Sequence, residues 1–166
     1  WNDGGGPITD CGFLLSRTAT VPTFTDIQVS ATLTDNLFFA FAVGLDPGAS
    51  YYVRAYATNS IATEYSDVLT FTTPLGVPVP VAVQTSPSSA SITWPPVPGA
   101  TDYRVSVSTD PTFATFLLDD FSIGCPVTLT IGGLPGTSQY YFRIRATSTD
   151  AVGNWSTTIP LFDWQS

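Results

Sequence analysis

Ten residues at positions 51–60, YYVRAYATNS, return 89 positions later at 140–149 as YYFRIRATST. At the same offset Leu45 falls on Leu134, Tyr52 on Tyr141, Arg54 on Arg143 and Ala57 on Ala146. A chain of 166 residues that repeats itself at this distance is built from two copies of one unit of about 90 residues, and each copy needs a core of its own.

Within each copy the apolar residues recur at every second position, the pattern of a strand with one buried face. Tyr51, Val53, Ala55 and Ala57 share one face of such a strand, and Tyr52, Arg54 and Tyr56 share the other. The second copy repeats the alternation in SITW (91–94), YRVSVS (103–108), VTLTI (127–131) and YYFRIRA (140–146). No segment holds a helical period over three turns, and 13 glycines and 14 prolines punctuate the chain into short strands and turns. The chain is therefore read as all-β. Pro74, Pro78 and Pro80 deny backbone donors within 72–84 and predict a short, semi-rigid linker, which divides the chain into domains 1–74 and 75–166.

The charge inventory narrows the functions open to such a scaffold. Thirteen acids, twelve of them Asp, stand against five arginines, with no lysine, histidine or methionine and a net charge of −8. That surface repels a phosphate backbone and an anionic bilayer, so neither nucleic acid nor a membrane surface is an expected partner. No apolar run reaches the roughly 18 to 20 residues that span a bilayer, and no charged-then-apolar leader opens the sequence. Without histidine there is no ready proton shuttle near neutral pH and no imidazole for zinc, and without lysine there is no Schiff base. The glycines at 3–6 are followed by no phosphate-binding lysine, and neither a G-x-S-x-G elbow nor an EF-type calcium spacing occurs. Asp119 and Asp120 are adjacent, so on a strand they would point to opposite faces; they read as solvated loop carboxylates. The expectation is a non-enzyme without cofactor or metal.

The corner that precedes each repeated strand carries a resemblance. GLDPGASYYVRAYATN in the first copy and GLPGTSQYYFRIRA in the second resemble the E–F corner and strand F of fibronectin type III domains. In both, a leucine stands six residues before a tyrosine with a Pro-Gly between them, and the tyrosine hydroxyl bonds back to upstream backbone. The resemblance makes Tyr51 and Tyr140 structural corner tyrosines. It places Trp94 at the end of strand B, Tyr103 at the start of strand C, and YSDVLTFTT (65–73) on strand G of the first copy. The second copy carries Pro135-Gly136 one residue early, which puts its turn geometry in question. The wording VSTDPTF and YYFRIRATSTDAVGNWS is similar to repeats of large secreted surface proteins of Bacteroidetes-type bacteria. The resemblance thus implies two tandem immunoglobulin-like sandwiches in an extracellular or cell-surface protein, serving as spacer and adhesive modules. A sequon at Asn154-Trp155-Ser156 matters only in a host that glycosylates asparagine.

By the same resemblance the first sandwich is short at its front. If Trp1 takes the part of Trp94, strand A and most of strand B are lacking. One reading is a fragment of a longer chain; the other is a subunit of an extracellular filament, completed by a strand from a neighbouring copy. The tail at 157–166, with Ile159, Leu161 and Trp164, is a candidate donor.

Candidate sites are few. Tyr52, Arg54 and Tyr56, together with Trp155, form an outward aromatic and guanidinium stripe that would stack on a sugar or bind a protein partner, as in an accessory module of a glycan-degrading enzyme. Ordinary cross-strand packing explains the same stripe. Cys11 and Cys125 lie 114 positions apart without C-x-x-C spacing. The resemblance places them at the same pole of successive sandwiches, too far apart to bridge, so each is expected to be free or bonded to another chain.

Overall fold

The computed structural model describes residues 6–34, 37–135 and 138–162. The expectations attached to Trp1, Asp3, Gly4, Gly5, Gly136 and Trp164 lie outside these residues. The chain divides into two compact units, Trp1–Thr73 and Pro74–Ser166.

The first unit holds β1 (Asp10–Ser16), β2 (Ile27–Ser30), β3 (Thr32–Thr34), β4 (Leu37–Phe39), β5 (Ser50–Thr58), β6 (Thr63–Tyr65) and β7 (Leu69–Thr72). One antiparallel sheet runs β2-β1-β5, and the far edge of β5 is shared by β7 along Ser50–Val53 and by β6 along Tyr56–Thr58. The expected strand G is thus two short strands, parted where Ser66 breaks the ladder and its hydroxyl accepts the Ala55 N–H at 2.9 Å. Among the described residues the second sheet is the antiparallel pair β3–β4.

The second unit holds β8 (Val81–Ser86), β9 (Ser89–Thr93), β10 (Asp102–Ser108), β11 (Leu118–Ser122), β12 (Thr128–Ile131), β13 (Tyr141–Thr147) and β14 (Ile159–Pro160). Its sheets run β12-β9-β8 and β11-β10-β13-β14, all antiparallel. Register converts the two-residue period into a core: Tyr103 faces Ala146, Val105 faces Ile144 and Val107 faces Phe142. These meet Ala90 and Ile92 of β9, with Trp94 set edge-on to Tyr103 at 5.4 Å. Every member of this cluster is buried.

Two expectations are corrected here. The segment 72–84 is not the short, semi-rigid linker expected throughout its length, because Leu75, Pro78 and Pro80 are buried and Val81 already begins β8. The tail is not a spare strand either. Leu161 donates its N–H to Tyr140 O at 2.8 Å, Phe162 packs edge-on to Tyr140 at 5.9 Å, and both side chains are 2% exposed. Donating this tail would empty the second unit's own core.

Candidate functional site

The outward stripe is built on β5 and β13, whose alternate residues oppose the outer faces of β1 and β10. In the first unit Tyr52 faces Ser16, Arg54 faces Leu14 and Tyr56 faces Gly12. Leu14 on that outer face is 0% exposed and Pro22 is fully buried, because the β1–β2 connection folds back over the sheet. Its Phe24 meets Tyr56 edge-on at 4.8 Å and Tyr65 at 6.2 Å, while the Arg54 guanidinium lies 3.9 Å above the Tyr65 ring. Tyr56 is only 3% exposed, so the expected recognition surface there is a corrected point: the ring is a floor under Phe24, not a platform. Burial, and then the Asp10 carboxylate beside it, push its hydroxyl up from the ordinary tyrosine value. Gly12 is required by the same packing, since a Cβ there would stand 2.5 Å from Val29 O and 2.9 Å from the Tyr56 ring.

The second unit repeats the device with different chemistry. Its β10–β11 connection brings Phe113 under Arg143 at 4.2 Å, and Trp155 stacks 4.5 Å from both Arg143 and Arg145. The register sets Arg104 directly opposite Arg145, a like-charge pair that destabilises a sheet unless something answers it. Asp120 answers it: Oδ2 lies 2.5 Å from Arg145 Nη2 and 3.2 Å from Arg104 Nη1, and Oδ1 accepts from Arg145 Nε at 3.0 Å. Its backbone is left-handed at φ 46°, next to an irregularity in the β10–β11 register, and its N–H is held by Ser106 Oγ at 3.1 Å. Burial pushes the Asp120 carboxyl up, but the bonds and charges of Arg145 and Arg104 outweigh it and hold it below the usual range. Asp120 is therefore an internal counter-ion and not a solvated loop acid.

Both connections share a motif that the repeat offset contains: Pro22-Thr23-Phe24 recurs as Pro111-Thr112-Phe113, again 89 positions on. Each loop is tied by its own aspartate, Asp26 to Thr23 N at 2.8 Å and Asp110 to Thr112 N at 2.9 Å. Those backbone bonds hold both carboxyls low. The lids bury Nε of Arg54 and of Arg143 without a hydrogen-bond acceptor, so the ring faces are what hold these guanidiniums. Of the stripe, Tyr52, Arg54 and Trp155 remain half-exposed, Arg54 over the Tyr65 ring and Trp155 between two arginines.

The cysteines differ in environment. Cys11, on β1, is buried, and burial and Asp10 push its thiol up. Cys125, in the β11–β12 turn, is exposed, with Sγ 3.6 Å from Ala100 O. Both are free thiols. Two depressions complete the second unit: a polar one of about 410 Å³ beside Arg104, Asp120 and Arg145, and an apolar one of about 380 Å³ between β11 and β12. Among the described residues no helix is long and apolar enough to cross a membrane.

The corners decide the fold. Tyr51 Oη accepts from Asp46 N at 3.0 Å, and Tyr140 Oη donates to Pro135 O at 3.3 Å, each five residues upstream and each ring buried. The chain superposes on a two-fibronectin-type-III-domain segment from chicken tenascin with a TM-score of 0.72 and 14% identity, covering 96% of this chain and 87% of that one. The fold is that of tandem fibronectin type III domains. Chicken CNTN1 FN1-FN3 domains (TM-score 0.45, 16% identity, 91% and 55% covered) and the FN5 domain of Drosophila Lar (0.43, 18%, 52% and 92%) are also similar. No family model matches the chain, and no curated protein matches it. The paired arginines, lids and corners above are parts of the fibronectin type III scaffold.

Proposed function

We propose that the chain is a non-catalytic spacer and adhesive segment of a secreted or cell-surface bacterial protein. The observation that supports this is the fate of the outward stripe: Arg54, Tyr56, Arg143, Arg145 and Trp155 are spent on one another and on the lids. With the outer sheet faces so occupied, recognition falls to loops and free edges. Immobilised chain probed against extracellular-matrix proteins and a glycan array tests the reading. Protein binding that survives Tyr52→Ala and is lost on loop substitutions supports adhesion through loops. Glycan binding lost on Tyr52→Ala would instead make it a carbohydrate-binding accessory module, and hydrolysis of any arrayed glycan would refute the non-catalytic role. A second reading is a subunit of an extracellular filament assembled by inter-chain β-strand complementation, supported by the uncharged run 37–45 with Phe41 and Val43 exposed.

A further inference from the structure

Three of the five arginines are neutralised inside the chain, Arg17 by Asp46, and Arg104 and Arg145 by Asp120. The other two, Arg54 and Arg143, hold the same position in the repeat, and among the described residues neither meets a carboxylate or any other hydrogen-bond acceptor. What each guanidinium meets is aromatic. Arg54 lies 3.9 Å above the Tyr65 ring, and Arg143 lies 4.2 Å from Phe113, 4.5 Å from Trp155 and 5.8 Å from Phe116. Rings take the faces of a guanidinium and leave its edge, where the N–H groups point. On that edge Nε is buried without an acceptor in both residues, while the half-exposed side chains keep their Nη nitrogens within reach of solvent. Such a cation has lost water from its faces and from Nε and has gained no counter-ion. An acceptor at its open end therefore bonds more strongly than at a fully hydrated arginine. Two N–H donors side by side match the two oxygens of a carboxylate. A carboxylate also brings a single charge into the field of a chain at −8, where a phosphoryl group brings about −1.5 to −2. Phe116, beside Arg143, is 43% exposed and offers a ring to whatever carries that carboxylate.

We propose that Arg143 binds a carboxylate joined to an apolar or aromatic body, the carboxylate on its Nη nitrogens and the body on Phe116. Arg54 is the weaker counterpart in the first unit, since one ring holds it where Phe113 and Trp155 together hold Arg143 in place beforehand. The proposal rests on the reading of the chain as adhesive through its loops, because Phe116 belongs to the β10–β11 lid, and it names the chemistry which that loop takes. One charge-assisted pair and one ring contact supply a dissociation constant on the order of millimolar.

The whole chain, made with nitrogen-15-labelled arginine, gives one Nε signal for each of its five arginines. It is titrated at neutral pH with N-acetylphenylalanine, with the uncharged amide of that compound, with acetyl-Phe-Glu-amide and with inorganic phosphate. The acid is expected to shift Arg143 saturably and Arg54 only at several times higher concentration, with Arg17 and Arg104 unmoved and the amide without effect. Phe116→Ala, at an exposed position, should weaken binding at Arg143 about fivefold and leave Arg54 as it was, with unchanged Arg104 and Arg145 signals reporting an intact second unit. Tighter binding of acetyl-Phe-Glu-amide than of N-acetylphenylalanine supports the site and makes its ligand an acidic side chain of a partner protein; the reverse order supports it and makes the ligand a free acid or a chain end. Equal shifts from acid and amide, tighter binding of phosphate, or no shift of Arg143 at about ten times the expected constant each overturn the proposal. Protein binding by the immobilised chain that persists after such a result leaves the adhesive reading standing while this site falls.

Discussion

Asp120 shows what a single residue contributes. Two arginines opposed across β10 and β13 repel unless a carboxylate lies between them, and the left-handed backbone at Asp120 delivers one. Aspartate tolerates that conformation better than most residues, which is why the strained position costs little. Because its folded-state value is depressed, Asp120 stabilises the second unit fully above the ordinary aspartate value of about 3.9, and the stabilisation is lost as pH falls through the lower folded value. Asp120→Asn is expected to cost about 1–2 kcal/mol at pH 7, given the partial exposure of the site. In urea melts the gap between wild type and variant should close as the pH drops below about 3.9; a gap independent of pH would remove the ion pairs from the account. Gly12 is the opposite case, a residue chosen for what it lacks. Gly12→Ala drives a Cβ into Val29 O and the Tyr56 ring and should destabilise the first unit by roughly 1–3 kcal/mol, with loss of near-ultraviolet tyrosine signal.

The lids are the elements that carry the stripe. Phe113→Ala removes the ring under Arg143 and is expected to destabilise the second unit by about 3 kcal/mol and to shift Trp155 emission as its arginine neighbour is released. Phe113 sits at φ 56°, so Phe113→Gly loses the same ring yet relieves the backbone and should be the milder change by about 1 kcal/mol. If alanine and glycine cost the same, the backbone there is not strained. Elements of this kind mark the limit of what was legible beforehand. β5, β13 and the two corners follow from local alternation and a six-residue spacing, which the chain expresses within one short window. The burial of Tyr56 does not, because it depends on a non-periodic loop closing over a face that alternation labels as outward. The signal existed, in Pro-Thr-Phe recurring at the repeat offset, but three residues carry it and no period announces it. Proline misled in the same way: it marks backbone without a donor, and Pro78 and Pro80 are such positions inside a packed unit.

At the scale of the whole molecule the two units differ in how completely each covers its sheet. The second closes two sheets over Ile92, Val105, Phe142 and Ile144, all at 0% exposure. In the first, the buried apolar residues of the inner face among those described are Cys11, Leu15, Ala49, Tyr51 and Ala57, with Leu37, Phe41 and Leu69 in solvent. Apolar area removed from water sets most of the stability difference between domains of similar length, at about 25 cal/mol per Å². Calorimetry of the whole chain is therefore expected to show two transitions, the first unit melting below the second. Leu15→Ala should lower only the earlier transition and Ile144→Ala only the later, each by about 2–5 kcal/mol, or on the order of ten degrees or more for units of this length. Were Leu15→Ala to shift both transitions together, the two cores would unfold as one cooperative body.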